Sequence, residues 1–177
     1  MQLSRPVIAR AAVEILDAYG LADVSMRRVA GSLGVAPGAL YWHIDSKQAL
    51  IAAMAEEIIA PVLAVRHDGP KAFCSALRRA LLAHTDGADV VSTAAAQPDS
   101  PVFPDLMSGL RAAFDGNASD AAAAGLLYLT LGAANMHQAG AQLQQLTAGE
   151  TNIPHGSAEA VDEAVDLLLA GLRAGRR

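Results

Sequence analysis

Apolar residues recur every three or four positions through most of this 177-residue chain, the spacing that places them on one face of an α-helix. In the first third, the pattern predicts helices over residues 4–20, 25–34, 37–43 and 47–65. Ser4 and Ser25 are the expected N-caps of the first two helices, and Asp45 or Ser46 caps the fourth. Pro61 is expected to kink or end the fourth helix, because proline lacks the backbone N–H of an interior helical residue.

The rest of the chain continues in the same way. Further helices are predicted over residues 73–84, 105–115, 119–147 and 157–173, the last two beginning at the N-cap candidates Ser119 and Ser157. The intervening residues 85–93 have the character of a turn, and residues 97–104 and 149–156 that of loops rich in proline and glycine. Hydrophobic residues make up 53% of the chain and aromatic residues only 4%, with long alanine and leucine tracts that favour helix. The predicted fold class is all-α.

Composition also limits the chemistry. Cys74 is the one cysteine, which excludes an internal disulfide, and its apolar neighbours indicate a small core residue. The first residues have no signal-peptide pattern, and no apolar run is long enough to suggest a membrane span, so we expect a soluble, cytoplasmic protein. No serine–histidine–aspartate order, glycine-rich phosphate loop or paired carboxylates suggest an enzyme. We expect neither a cofactor nor a metal.

The net charge of −5 at first argues against a nucleic-acid partner, but the charge is unevenly distributed. Residues 1–47 contain five basic and four acidic residues, a balance of +1, whereas the remainder contains eight basic and fourteen acidic residues. The acidic excess therefore lies outside the N-terminal segment. Attraction of this segment to phosphate is expected to be modest for a single subunit.

The second and third predicted helices are joined by the short, glycine-containing turn SLGVAPG. Two short helices with this connection form a helix-turn-helix, which presents its second helix to the major groove of DNA. By itself this signal is weak, because many helical hairpins share it. The residues that follow are more specific: LYWHI, then Asp45-Ser46-Lys47, then an apolar helix.

Residues 26–54, MRRVAGSLGVAPGALYWHIDSKQALIAAM, resemble the DNA-binding segment of the TetR family of transcriptional regulators. The triplet Tyr41-Trp42-His43 is similar to that of its tetracycline-responsive members. The resemblance is strong over residues 5–60 and fainter but continuous beyond, through LRRALLAHTDGADV and the tract 111–145. It implies a three-helix, helix-turn-helix DNA-binding domain over residues 1–46 and a helical ligand-binding and dimerisation domain over residues 47–177, with helix 47–65 connecting the two.

The resemblance assigns phosphate contacts to Tyr41, His43 and Lys47, and a guanine-reading role to Arg27, since arginine pairs with the acceptor edge of guanine. The recognition helix begins with small residues that cannot read bases by hydrogen bonds, although Ala39 suits a thymine methyl group. The candidate DNA-binding residues are Arg27, Arg28, Pro37, Gly38, Ala39, Tyr41, Trp42, His43 and Lys47. The alternatives are that Tyr41 and Trp42 are core residues and that Lys47 is only solvated.

Ligand-binding positions follow from the same resemblance, with departures. Val91 stands where tetracycline-binding members have a metal-binding histidine, and Phe73 stands near the place of a drug-binding asparagine. These substitutions point away from a magnesium–tetracycline complex and towards a small, hydrophobic effector. The candidate ligand-binding residues are His67, Phe73, Leu77, Val91, Leu110, Phe114, Met136 and His137.

The helices near 119–147 and 157–173 have wider apolar faces than one small subunit needs, which predicts a homodimer through a four-helix bundle. The candidate interface residues are Leu127, Leu131, Val165, Leu168, Leu169 and Leu172. The alternative is that these residues form ordinary core. Together the patterns predict a repressor that binds a palindromic double-stranded operator as a homodimer and is released when a small-molecule effector moves the fourth helix. A helical protein–protein adaptor without operator binding is the alternative function.

Overall fold

The computed structural model describes residues 2–114, 119–146 and 157–174, and all regular structure in these ranges is helical, as the sequence predicts. The first third contains α1 (Arg5–Tyr19), a 3₁₀ turn (Leu21–Asp23), α2 (Met26–Ser32), α3 (Pro37–Leu40) and α4 (Lys47–Leu63). The remainder contains α5 (Gly69–Leu82), α6 (Gly87–Ala95), α7 (Val102–Ala113), α8 (Asp120–Leu146) and α9 (Ala158–Ala174).

Serine side chains define the starts of four helices. The hydroxyls of Ser25, Ser46, Ser119 and Ser157 each accept a hydrogen bond from the backbone nitrogen three residues later, at 3.0–3.2 Å. Each bond satisfies one of the donors that the first turn of a helix leaves without a partner. Ser4 occupies the N-cap position of α1 without such a bond. Ser46, and not Asp45, therefore caps α4.

Two predicted elements need correction. Residues 85–93, predicted as a turn, contain most of α6, which begins at Gly87. A Cβ atom at Gly87 would lie 2.4 Å from the carbonyl oxygen of Leu81, so glycine permits the close approach of the two helices there. Helix α7 begins at Val102, inside the predicted loop 97–104. The second predicted loop, 149–156, lies outside the described residues.

The connecting helix ends close to its predicted limit. Helix α4 ends at Leu63 and not at residue 65, and Pro61 lies inside its last turn. A proline this close to the end removes one internal hydrogen bond, and the helix continues for only two residues beyond it. The helix therefore ends two residues after Pro61, close to where this proline was expected to end it.

The chain divides into two compact units. The N-terminal unit is Met1–Pro61 with Ala80–Phe103, and the C-terminal unit is Val62–Arg79 with Pro104–Arg177. This division by packing differs from the predicted functional boundary after residue 46. That boundary concerns which residues bind DNA, and it stays a prediction. Within the described residues, no helix is both long and apolar enough to cross a membrane.

Each unit has its own apolar core. In the N-terminal unit, fully buried side chains come from α1, from α3 and its end, and from α4: Ile8, Leu16, Leu40, Ile44, Leu50, Met54 and Ile59. In the C-terminal unit they include Phe73, Leu77, Leu106 and Leu110. Cys74 is also buried, as predicted, and burial raises the pKa of its thiol, partly opposed by a hydrogen bond with Thr130.

Candidate functional site

The turn between α2 and α3 has the geometry of a helix-turn-helix. Gly34 has a φ of +68°, a left-handed conformation that glycine adopts without steric cost. The nitrogen of Val35 donates to the carbonyl oxygen of Ala30 at 3.0 Å, which closes the end of α2. Leu40 is buried completely and anchors the short α3. The turn therefore holds α3 at a fixed angle to α2, with the opposite face of α3 left open.

Most of the predicted DNA-binding residues are exposed. Trp42 is 89% exposed and Tyr41 51% exposed, so the core alternative is wrong for Trp42 and does not describe Tyr41. Arg27, His43 and Lys47 are exposed as well, and within the described chain their side chains have no hydrogen-bond or ion-pair partner. Large aromatic and charged side chains exposed together, without a role inside the protein, are typical of a binding surface.

The start of α3 is almost free of polar side chains. Pro37 and Gly38 are exposed, and Ala39 is partly buried. A Cβ atom added at Gly38 would meet nothing within 4 Å, so this glycine lies against open space. The start of α3 therefore offers shape and apolar surface but no hydrogen-bonding side chain for base readout, and the guanine-reading role of Arg27 in α2 stays a prediction.

Arg28 has a different environment from Arg27. Its guanidinium forms an ion pair with Asp23 and lies over the ring of Tyr19, 4.0 Å from the ring centroid. A cation over an aromatic face is attracted by the ring quadrupole. Tyr19 itself is 60% exposed and does not continue the apolar face of α1. Arg28 therefore packs α2 against the end of α1, and its contact with DNA stays a prediction.

The end of α1 is also tied to the turn before α6. The backbone nitrogen of Leu21 donates to the carboxylate of Asp86 at 2.8 Å, and the nitrogen of Thr85 donates to that of Asp17 at 3.2 Å. Asp86 is the only described non-glycine residue with a positive φ, +53°. This attachment of residues 17–21 to residues 84–86 was not predicted. The only signal for it is the Asp86-Gly87 pair, which indicates a turn but not its partner.

The predicted ligand-binding residues fall into three groups. In the C-terminal unit, Phe73, Leu77 and Leu110 are buried and Phe114 is partly buried. The ring of His67 meets that of Phe73 edge to face, with centroids 5.2 Å apart. One ring nitrogen of His67 lies 2.8 Å from the carbonyl oxygen of Val62.

The other three predicted ligand-binding residues differ from this group in exposure or in the unit to which they belong. Met136 and His137 are exposed on α8, so they do not belong to the apolar interior of this unit. Val91 is fully buried, but in the N-terminal unit. No group of three or more histidine, cysteine or acidic side chains capable of holding a metal ion occurs in ranges 2–114, 119–146 and 157–174.

The predicted dimer residues also need a correction. Leu127, Leu131 and Val165 are buried inside the single chain, so they are core residues and not an open interface. Leu169 and Leu172 are partly buried, and Leu168 is 42% exposed. Large apolar side chains that are exposed on α8 and α9 are Tyr128, Met136, Leu143, Leu167 and Leu168. The apolar surface that remains open thus lies beside the predicted residues.

Known proteins are similar to this chain in both sequence and fold. Residues 8–54 match the family described as bacterial regulatory proteins, tetR family. Tetracycline repressor protein class C of Escherichia coli is 33% identical over 152 residues, which cover 78% of this chain and 68% of that protein. The crystal structure of Mycobacterium smegmatis BioQ has a TM-score of 0.82 and 37% identity, covering 98% and 99% of the two chains. BioQ with its natural double-stranded DNA operator has a TM-score of 0.76 and 34% identity, covering 97% and 98%.

Proposed function

This chain belongs to the TetR family of transcriptional regulators, and on that premise we propose that it is a repressor that binds a palindromic operator as a homodimer and is released by a small hydrophobic effector. The observation that carries the proposal is the exposed set Arg27, Tyr41, Trp42 and Lys47 around a helix-turn-helix. The relative solved with its operator supports a DNA partner. Action on operator DNA supports a cytoplasmic location as part of the proposal.

Tyr41, His43 and Lys47 are proposed to contact phosphates and Arg27 to read a guanine. Hydroxyl, imidazole and ammonium groups all donate to phosphate oxygens, and such contacts position the protein without selecting a sequence. A free arginine guanidinium can make the bidentate pair with guanine that does select one. Because residues 1–47 have a net charge of only +1, a single subunit has little electrostatic attraction to add.

A dimer compensates for this weak single-subunit binding. Two recognition helices about 34–36 Å apart meet successive major grooves on one face of B-DNA. The exposed apolar side chains on α8 and α9 support a two-fold interface, because open apolar surface of this kind marks interaction sites. Leu168 is the residue common to this open surface and to the predicted interface.

The effector is proposed to occupy the C-terminal unit, near Phe73, Leu77 and Leu110. Their burial and apolar character suit a hydrophobic ligand. A magnesium–tetracycline complex is disfavoured although some relatives are tetracycline repressors, because Val91 offers no metal ligand. Attachment of residues 17–21 to residues 84–86 gives the DNA-binding helices a second anchor besides the continuous chain into α4.

The dimer and DNA parts of the proposal can be tested together with Leu168→Asp. A charge at this half-exposed position is expected to split the dimer and to lower operator affinity at least about 100-fold, since both half-sites are then bound separately. Sedimentation velocity and DNA anisotropy would be measured on the same samples. Ala170→Asp is the matched control, because position 170 is exposed on another face of α9. A Leu168→Asp protein that remains dimeric, or a monomer that keeps full affinity, contradicts the proposal.

A further inference from the structure

Arg28 has contacts on two sides of its guanidinium group. The carboxylate of Asp23, from the 3₁₀ turn, forms an ion pair with one of its nitrogens. The ring of Tyr19, at the end of α1, lies against its face, 4.0 Å from the central carbon to the ring centroid. All three side chains are partly exposed, so the group lies at the surface beside α2.

Its ion pair distinguishes Arg28 from the other basic side chains predicted to contact DNA. Arg27 and Lys47 have no hydrogen-bond or ion-pair partner within the described chain, whereas Arg28 already has an anion on its donor edge. A carboxylate and a phosphate both offer anionic oxygens to the fork of arginine N–H donors. Asp23 therefore occupies the edge of Arg28 that a DNA phosphate would need.

The ion pair between Arg28 and Asp23 is easily exchanged for a phosphate. An exposed ion pair contributes little to stability, because water and salt screen both charges. A phosphate of double-stranded DNA competes well with it, since binding there also releases counterions condensed on the duplex. Tyr19 contacts the face of the guanidinium and not its donor edge, so Arg28 can change its anion without leaving the ring.

We propose that Asp23 is an internal competitor for DNA: it holds Arg28 in the free protein and yields it to a phosphate of the bound duplex, while Tyr19 keeps the guanidinium in place. Asp23 thereby lowers the affinity for every duplex alike, because a phosphate contact carries no base information. Its charge matters because residues 1–47 have a balance of only +1. This inference rests on the proposed function and adds to it two residues, Asp23 and Tyr19, that the sequence did not single out for DNA binding.

A double-mutant cycle with Asp23→Asn and Arg28→Ala tests this exchange, with a short duplex of random sequence as the probe in anisotropy titrations of the full-length protein. Asp23→Asn is expected to bind the duplex about fivefold more tightly, and Arg28→Ala about fivefold more weakly. In the Arg28→Ala background, Asp23→Asn should change affinity by less than about twofold, since no guanidinium is left to release. If Asp23 only positioned Arg28, its loss would weaken binding.

Glu14→Gln is the matched control, because it makes the same charge change at an exposed site on α1 and should alter affinity by less than about twofold. NMR of the Arg28 Nε–Hε group in the unaltered protein should show its signal shift when the duplex is added. An Asp23→Asn protein that binds no more tightly than the parent, or that gains as much without Arg28, overturns the inference alone. If neither the parent nor any variant binds duplex DNA, the proposed function fails as well.

Discussion

Two regions of the molecule differ in what burial says about function. One is the surface formed by α2, α3 and the start of α4, and the other is the interior of the C-terminal unit. On the surface, Arg27, Trp42 and Lys47 are exposed without partners among the described residues, and folding gives no reason for their presence. In the interior, Phe73, Leu77 and Leu110 are buried and apolar, which core packing alone already explains. An exposed, unpaired group therefore identifies a binding surface more firmly than a buried apolar group identifies a pocket.

Phe73→Ala tests the interior side of this comparison and has the largest expected effect. Phe73 is 1% exposed and its ring lies against Gly109, where an added Cβ would come within 2.8 Å. Truncation is expected to lower the free energy of unfolding by about 3–5 kcal/mol, measured by urea denaturation at constant protein concentration. Val65→Ala, at an exposed site of the same unit, should change it by less than about 0.5 kcal/mol. A cost below about 1 kcal/mol would contradict the close packing of the Phe73 ring.

Arg27→Ala tests the surface side. It should cost about 1–3 kcal/mol of operator binding, concentrated at one guanine of each half-site, and leave stability unchanged because Arg27 has no partner in the described chain. Anisotropy titrations with operators altered one base pair at a time measure this. Arg28→Ala is the matched control and should lower stability by about 1 kcal/mol, since it removes the contacts with Asp23 and Tyr19. The same loss of affinity for every altered operator would show that Arg27 contacts a phosphate and does not read a base.

Lys47→Ala and Tyr41→Phe have the smallest expected effects. Each should weaken binding by about 0.5–1.5 kcal/mol for every duplex sequence alike, because phosphate contacts carry no base information. Lys47→Ala should also reduce the slope of log affinity against log salt by about one per subunit, which Tyr41→Phe should not. Arg79→Ala, an equal charge change at an exposed site in the C-terminal unit, is the control. A slope that falls by the same amount in Lys47→Ala and Arg79→Ala would show that Lys47 does not contact the DNA phosphates.

Much of the fold could be predicted from local sequence signals. Ser25, Ser119 and Ser157 cap the helices that they were expected to cap, because an N-cap is a short-range interaction between a hydroxyl and a backbone N–H. Helix α6 was missed because the pair Asp86-Gly87 is a strong turn signal. A nine-residue helix of mostly small residues produces little periodicity against it.

The interface could be predicted less well, for a physical reason. An apolar stripe shows that a helix face is covered, but not whether the covering residues belong to the same chain. Leu127 and Leu131 are covered by their own subunit, while Tyr128 and Leu168 remain exposed. Burial of Val91 and exposure of Met136 likewise depend on tertiary packing that spacing along one helix does not contain.

The central claim, operator binding by a two-fold dimer through α3, is tested most directly by selecting the full-length protein's binding sites from random double-stranded DNA. The account predicts an enriched inverted repeat whose half-sites are centred about 10–10.5 base pairs apart, or at a multiple of one helical turn. One guanine of each half-site should lose its enrichment when the selection is repeated with Arg27→Ala. Failure to enrich any duplex, or enrichment of a sequence without an inverted repeat, would contradict it.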